Sequence, residues 1–144
     1  MTSQAAFAGK KKKAPKPYKS EAVTIAVAHP IFHGQTGEVN GITANEFEQN
    51  CAVPTTQGLD AHVFEVPAEY QKLQAGVKAI GAPGGAAGYD LDLVFYDANC
   101  AVTFTSLAEG TDETGFMPAG TAWILMYNYL GDPNTSAHIE IAVL

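Results

Sequence analysis

The sequence predicts an all-β protein, an antiparallel β-sandwich of about eight strands. Three observations predict it. Apolar residues recur with period two in segment after segment. Glycine and proline, 14 and 8 of 144 residues, punctuate those segments at short intervals. Sustained helical periodicity is missing: "PAEYQKLQAG" is the one helix-like stretch, and Pro67 and Gly76 bracket it tightly.

The elements follow in order. In "EAVTIAVAH", Val23, Ile25 and Val27 share one face and Ala22, Thr24, Ala26 and Ala28 the other. "FHGQTGEVNG" is a polar, glycine-rich connection. "ITANEFEQ" is strand-like but polar, and "LDAHVFEV" is a stronger strand. "LQAGVKAI" sets Leu73, Ala75, Val77 and Ala79 against Gln74, Gly76, Lys78 and Ile80. "GAPGGAAG" lacks the Lys-Ser/Thr of a phosphate loop and precedes a strand, which argues against a nucleotide site. In "YDLDLVFYD", Tyr89, Leu91, Leu93 and Phe95 point one way and Asp90, Asp92 and Val94 the other. "AVTFTS" and "ETGFM" are short strands. "TAWILMYNYL" is apolar on both faces, the pattern of a central strand between layers. "AHIEIAVL" closes the chain with Ile139, Ile141 and Val143 inward.

Charge divides the chain in two. Six of the eight lysines (Lys10, Lys11, Lys12, Lys13, Lys16 and Lys19) fall in residues 1–20, which hold no acid. These residues read as a basic, flexible tail or linker. Residues 21–144 read as a single β-sandwich domain in which Lys72 and Lys78 face all fifteen acids. A body so acidic repels nucleic acid and attracts cations, and with no arginine it lacks the bidentate group for phosphate or guanine. No segment is long and apolar enough for a membrane span. "SQAAFAGKKKK" ends in a small-residue pattern like that of a signal-peptidase site, though no apolar core precedes it. Met1 therefore reads as standing just downstream of a removed signal or of a preceding domain. Cys51 and Cys100 are far apart and lack CxxC neighbours, which argues against zinc. A disulfide is the adopted reading over two buried thiols. It would close a loop of roughly fifty residues and contribute about 4 kcal/mol in the chain-entropy model. It implies an oxidising compartment, outside the cell or at its surface.

The second half carries a family pattern. "QGLDAHVFEVP", "YDLDLVFYDANC", "PAGTAWILMYNYLGDP" and the closing "AHIEIAV" resemble the bacterial pre-peptidase C-terminal (PPC) domain, related to the collagen-binding domains. The resemblance runs from about Asn45 to Leu144. Its most specific elements are the D-L-D-L strand, Asp90 to Leu93, and the "AGT" turn with its aromatic strand, Ala119 to Tyr129. The usual "GTYYV" reads "GTAWI" here, and neither the tail nor the 21–28 strand is explained. The resemblance implies a jelly-roll-like module on exported enzymes, mostly non-catalytic, that binds substrate polymers, assists secretion or is removed on maturation. It also implies that the strands preceding Cys51 and Cys100 come together.

None of Ser3, Ser20, Ser106 and Ser136 sits in a G-x-S-x-G turn, so no nucleophile is assigned. His29 and His33 flank "PIF", and two histidines are too few for a metal site; with His62 and His138 they read as polar strand ends. Asp90 and Asp92, roughly 7 Å apart on one strand face, resemble a metal pair or a carboxylate dyad. The adopted reading is a solvated face of a framework strand. Trp123, Tyr127 and Tyr129 offer sugar-stacking surfaces, yet Ile124, Leu125 and Met126 place Trp123 in the core. In "NEFEQNC", Glu46, Glu48 and Asn50 alternate, and Asp60 follows. The collagen-binding relatives place calcium on such an acid-x-acid-x-Asn pattern plus a later aspartate. Resemblance thus makes Glu46, Glu48, Asn50 and Asp60 the candidate calcium ligands. Cys51 stands where a further acid is expected, and a solvated polar edge strand is the competing reading.

These readings combine into a non-catalytic, secreted accessory module that binds or positions for a neighbouring exported enzyme. Calcium is the one cofactor suggested. Its partners are a protein or polysaccharide polymer, or another copy of itself. The alternative is a structural subunit of an extracellular surface assembly, its basic tail docking on the acidic body of another copy. A small secreted hydrolase is a third reading, kept for the abundance of carboxylates.

Overall fold

The computed structural model describes residues 14–25, 38–39, 42–43, 61–81, 90–106, 112–128 and 135–144. Among them run strands β1 (Tyr18–Lys19), β2 (Val23–Ile25), β3 (Glu38–Val39), β4 (Ile42–Thr43), β5 (Ala61–Glu65), β6 (Ala75–Gly81), β7 (Leu91–Asp97), β8 (Val102–Ser106), β9 (Glu113–Met117), β10 (Thr121–Asn128) and β11 (Thr135–Val143). The helix-like "PAEYQKL" is a single 3₁₀ turn, Ala68–Tyr70. No helix among the described residues is long and apolar enough to cross a membrane.

Nine strands form two antiparallel sheets. One runs β1-β11-β6-β9 with β2 also on β11; the other runs β5-β10-β7-β8; β3 and β4 form a separate ladder. The arrangement is β-sandwich-like, as period two implied. Alternation supplies the core: Val77, Ala79, Met117, Ile139 and Ile141 of the first sheet and Phe64, Leu91, Leu93, Phe95, Ile124 and Met126 of the second form one buried cluster. Gly115 permits close approach of the sheets, because a Cβ there would lie 2.9 Å from Phe95 Cζ. Rings join the edge strands β8 and β9: Phe104 stacks on Phe95 at 6.1 Å and meets Phe116 edge-on at 6.0 Å.

Loop chemistry fixes the registers. Gly120 takes φ +94°, a conformation that favours glycine, in the turn from β9 to β10. Its N–H donates to the Gln71 carbonyl at 2.7 Å. From β7 to β8, Asp97 Oδ1 accepts the N–H groups of Asn99 and Ala101 at 2.8 and 2.9 Å. Cys100 sits there, buried, at φ 65°.

The described part of the basic tail, residues 14–20, lies against the body. Tyr18 and Lys19 pair with Ile141 and Glu140, and the buried Tyr70 hydroxyl donates to the Lys16 carbonyl at 2.5 Å. Composition could not show this, since the docking partners lie at the far end of the chain. Val143 is 37% exposed rather than inward, one residue from the chain's end at the rim of the core. Trp123 lies on the central strand β10 as expected but is only half-buried, beside the exposed Glu65 of the edge strand β5. The aspartate face of β7 is not solvated. Val94, Tyr96, Leu125, Tyr127 and Val63 build a second buried cluster on that side of the sheet, and Asp92 lies within its span.

Candidate functional site

Sequence alternation puts Asp90 and Asp92 on the face of β7 opposite to Leu91 and Leu93. Pairing then sets Asp92 directly across from Tyr127 of β10. Asn128, at the end of β10, is buried, and its Oδ1 accepts the Asp90 N–H at 2.8 Å, which fixes the backbone where β7 begins. On the other flank Ser106 of β8 pairs with Leu93. Glu113, the first residue of β9, enters there from the facing sheet, held by a short hydrogen bond with Ser106 Oγ. Ser106 Oγ also lies 2.9 Å from the Thr114 carbonyl.

The outcome is a three-carboxylate cluster. One oxygen each from Asp90, Asp92 and Glu113 lie within 4.8 Å of one another. Asp92 and Glu113 are 2% and 3% exposed, and Asp90 is half-buried. Two buried negative charges at such a separation repel by about 3 kcal/mol at an effective dielectric near 20. Burial, and then the charges of Asp90 and Glu113, push the Asp92 carboxyl up to about 7. The Tyr127 hydroxyl lies beside that carboxyl and partly offsets the rise. It stops short of hydrogen-bond geometry: neither Tyr127 Oη nor Asp92 Oδ1 has a partner within it. Burial, then the neighbouring Asp92 charge, raises the Tyr127 phenol as well. Such a cluster can hold a shared proton or bind a hard cation; it has the oxygen donors for either.

The sequence brought Asp90 and Asp92 forward as a pair but missed Glu113. A signal existed: Glu113 alternates with Gly115 and Met117, so an acid stood in core phase. The first-choice ligands, Glu46, Glu48, Asn50 and Asp60, lie outside the described residues, as do Cys51, His29, His33 and Tyr129. His62 is buried on β5 against Phe64, with ring centroids 4.5 Å apart, and burial lowers its pKa. His138 is half-buried and lies 2.8 Å from Glu140, a contact that lowers the Glu140 carboxyl. Neither histidine belongs to the carboxylate cluster. Compared with protein-family models, with curated proteins and with solved structures, the chain matches none.

Proposed function

We propose that this chain is a non-catalytic, exported accessory module of the PPC type, with a jelly-roll-like arrangement and a Cys51–Cys100 disulfide. One observation carries the reading. The two segments that bear the resemblance, "DLDL" and "GTAWI", become β7 and β10, adjacent central strands buried on both sides. They act as framework, as the resemblance requires. Burial of Asp92 and Glu113 counts against a hydrolytic dyad, since a substrate would have to reach both carboxyls. Cys100, the one cysteine among the described residues, lies buried in the turn after β7; a disulfide to Cys51 would imply an oxidising compartment.

Binding to insoluble polymers tests the module reading. The purified chain is expected to be retained on at least one of collagen, cellulose, chitin or peptidoglycan, with no product released. Release of product would overturn the non-catalytic reading; passage through all four would overturn the polymer-binding one.

The assembly reading keeps one observation in its favour. The Tyr18↔Ile141 and Lys19↔Glu140 pairing gives the tail a docking edge on β11, and a second copy offers the same edge. Sedimentation at 0.05 and 0.5 M salt separates the two. Tail-driven oligomers dissociate as charges are screened, whereas a lone module is monomeric at both.

A further inference from the structure

We propose that Asp90, Asp92 and Glu113 form a binding site for one hard divalent cation of the calcium class. The inference is independent of the module reading, and its ligands are not those of the "NEFEQNC" stretch.

The geometry comes first. Calcium binds oxygen at about 2.3–2.6 Å, so opposite oxygens on one ion stand about 4.6–5.2 Å apart. The three carboxylate oxygens, all within 4.8 Å of one another, fall inside that span without rearrangement. They come from two sheets, with Asp90 and Asp92 from the start of β7 and Glu113 from β9. An ion would thus tie the two layers together.

The second observation comes from Tyr127, which is not one of the three carboxylates. Tyr127 is wholly buried, and its hydroxyl, aimed at Asp92, has no partner in hydrogen-bond geometry. The same holds for Oδ1 of Asp92, in a residue 2% exposed. Buried polar atoms are nearly always satisfied, so two adjacent ones without partners mark a place where something else is bound. The charge balance says what. Among the described residues, the groups that act on Asp92 are Asp90, Glu113 and Tyr127, none of them cationic. Hard oxygen donors with excess negative charge and no nitrogen or sulfur ligand select calcium-like ions over zinc or copper. Asp90, half-buried, leaves a path from solvent. Calcium takes 6–8 oxygens. Bidentate carboxylates, the Tyr127 hydroxyl and water complete that number.

The test is made in a Glu46→Gln, Glu48→Gln background, so that the other candidate ligands do not report. Melting is measured in EDTA and in millimolar CaCl2, MgCl2 or MnCl2. Calcium is expected to raise Tm by roughly 5–10 °C at about a hundredfold excess over its dissociation constant. Adding Asp90→Asn, at a half-buried position that tolerates an amide, is expected to abolish most of that rise. Terbium luminescence excited through tyrosine gives a second readout, expected in the background protein and lost in Glu113→Gln. No shift with calcium overturns the proposal. So does a shift that survives Asp90→Asn undiminished, or a response to magnesium alone.

Discussion

Asp92 of β7 and Tyr127 of β10 are cross-strand partners, buried side by side. A carboxyl therefore faces a phenol, with two further carboxyls close by. Its pH response follows. The folded Asp92 carboxyl is raised to about 7 against an ordinary 3.8, so the folded state holds this proton more tightly than the unfolded one. Stability is then greatest near pH 4, falls as pH rises through that interval, and is fully reduced above about 7. In EDTA, the urea midpoint is expected to drop between pH 5 and pH 8. Asp92→Asn, which resembles the protonated acid, is expected to flatten that slope and to gain about 1–3 kcal/mol at pH 8. A wild-type midpoint that rises with pH would contradict the assignment.

Gly115 marks where the sheets come closest. An added Cβ meets Phe95 Cζ at 2.9 Å and Ser106 Cβ at 3.2 Å. Gly115→Ala is expected to cost about 1–3 kcal/mol through overpacking, read as a lower urea midpoint. Phe95→Leu should recover part of that loss in the double variant, since the ring is the obstacle.

On β10 the apolar residues differ in cost. Ile124 is fully buried between the sheets, whereas Trp123 is half-buried on the reverse face. Ile124→Ala is expected to lose about 2–5 kcal/mol, and Trp123→Ala less than Ile124→Ala despite its larger side chain. Chemical denaturation of the two variants ranks them directly.

The tail is clamped by one phenol. Tyr70 donates to the Lys16 carbonyl at 2.5 Å and lies 3.4 Å from that of Pro15. Tyr70→Phe is expected to cost about 0.5–1.5 kcal/mol. It should also speed trypsin cleavage after Lys19 while cleavage after Lys78 is unchanged.

Cys100 holds φ 65° in a turn where glycine or asparagine is usual. The disulfide proposed with Cys51 would tether it. Intact mass before and after reduction, with alkylation, is expected to show two labelled thiols only after reduction. Reduction should cost about 4 kcal/mol.

What the sequence determined by itself was local. Period-two alternation gave the strands, because side chains on a strand point alternately to its two faces. "TAWILMYN" was apolar on both sides and became the centre of a sheet. Glycine gave the β9–β10 turn, because φ +94° excludes most other residues there. Tertiary structure decided what depends on distant parts of the chain. Alternation says that Asp92 and Leu93 face opposite ways, but not which of those ways is wet. That was set by Leu125 and Tyr127, more than thirty residues on, which bury the aspartate's side of the sheet. Nor does spacing bring Glu113 to Asp90. Only the approach of β9 from the facing sheet does so. The tail's docking on β11 joins positions more than a hundred residues apart. Such contacts follow from packing two sheets face to face, and a one-dimensional pattern carries no record of which faces meet.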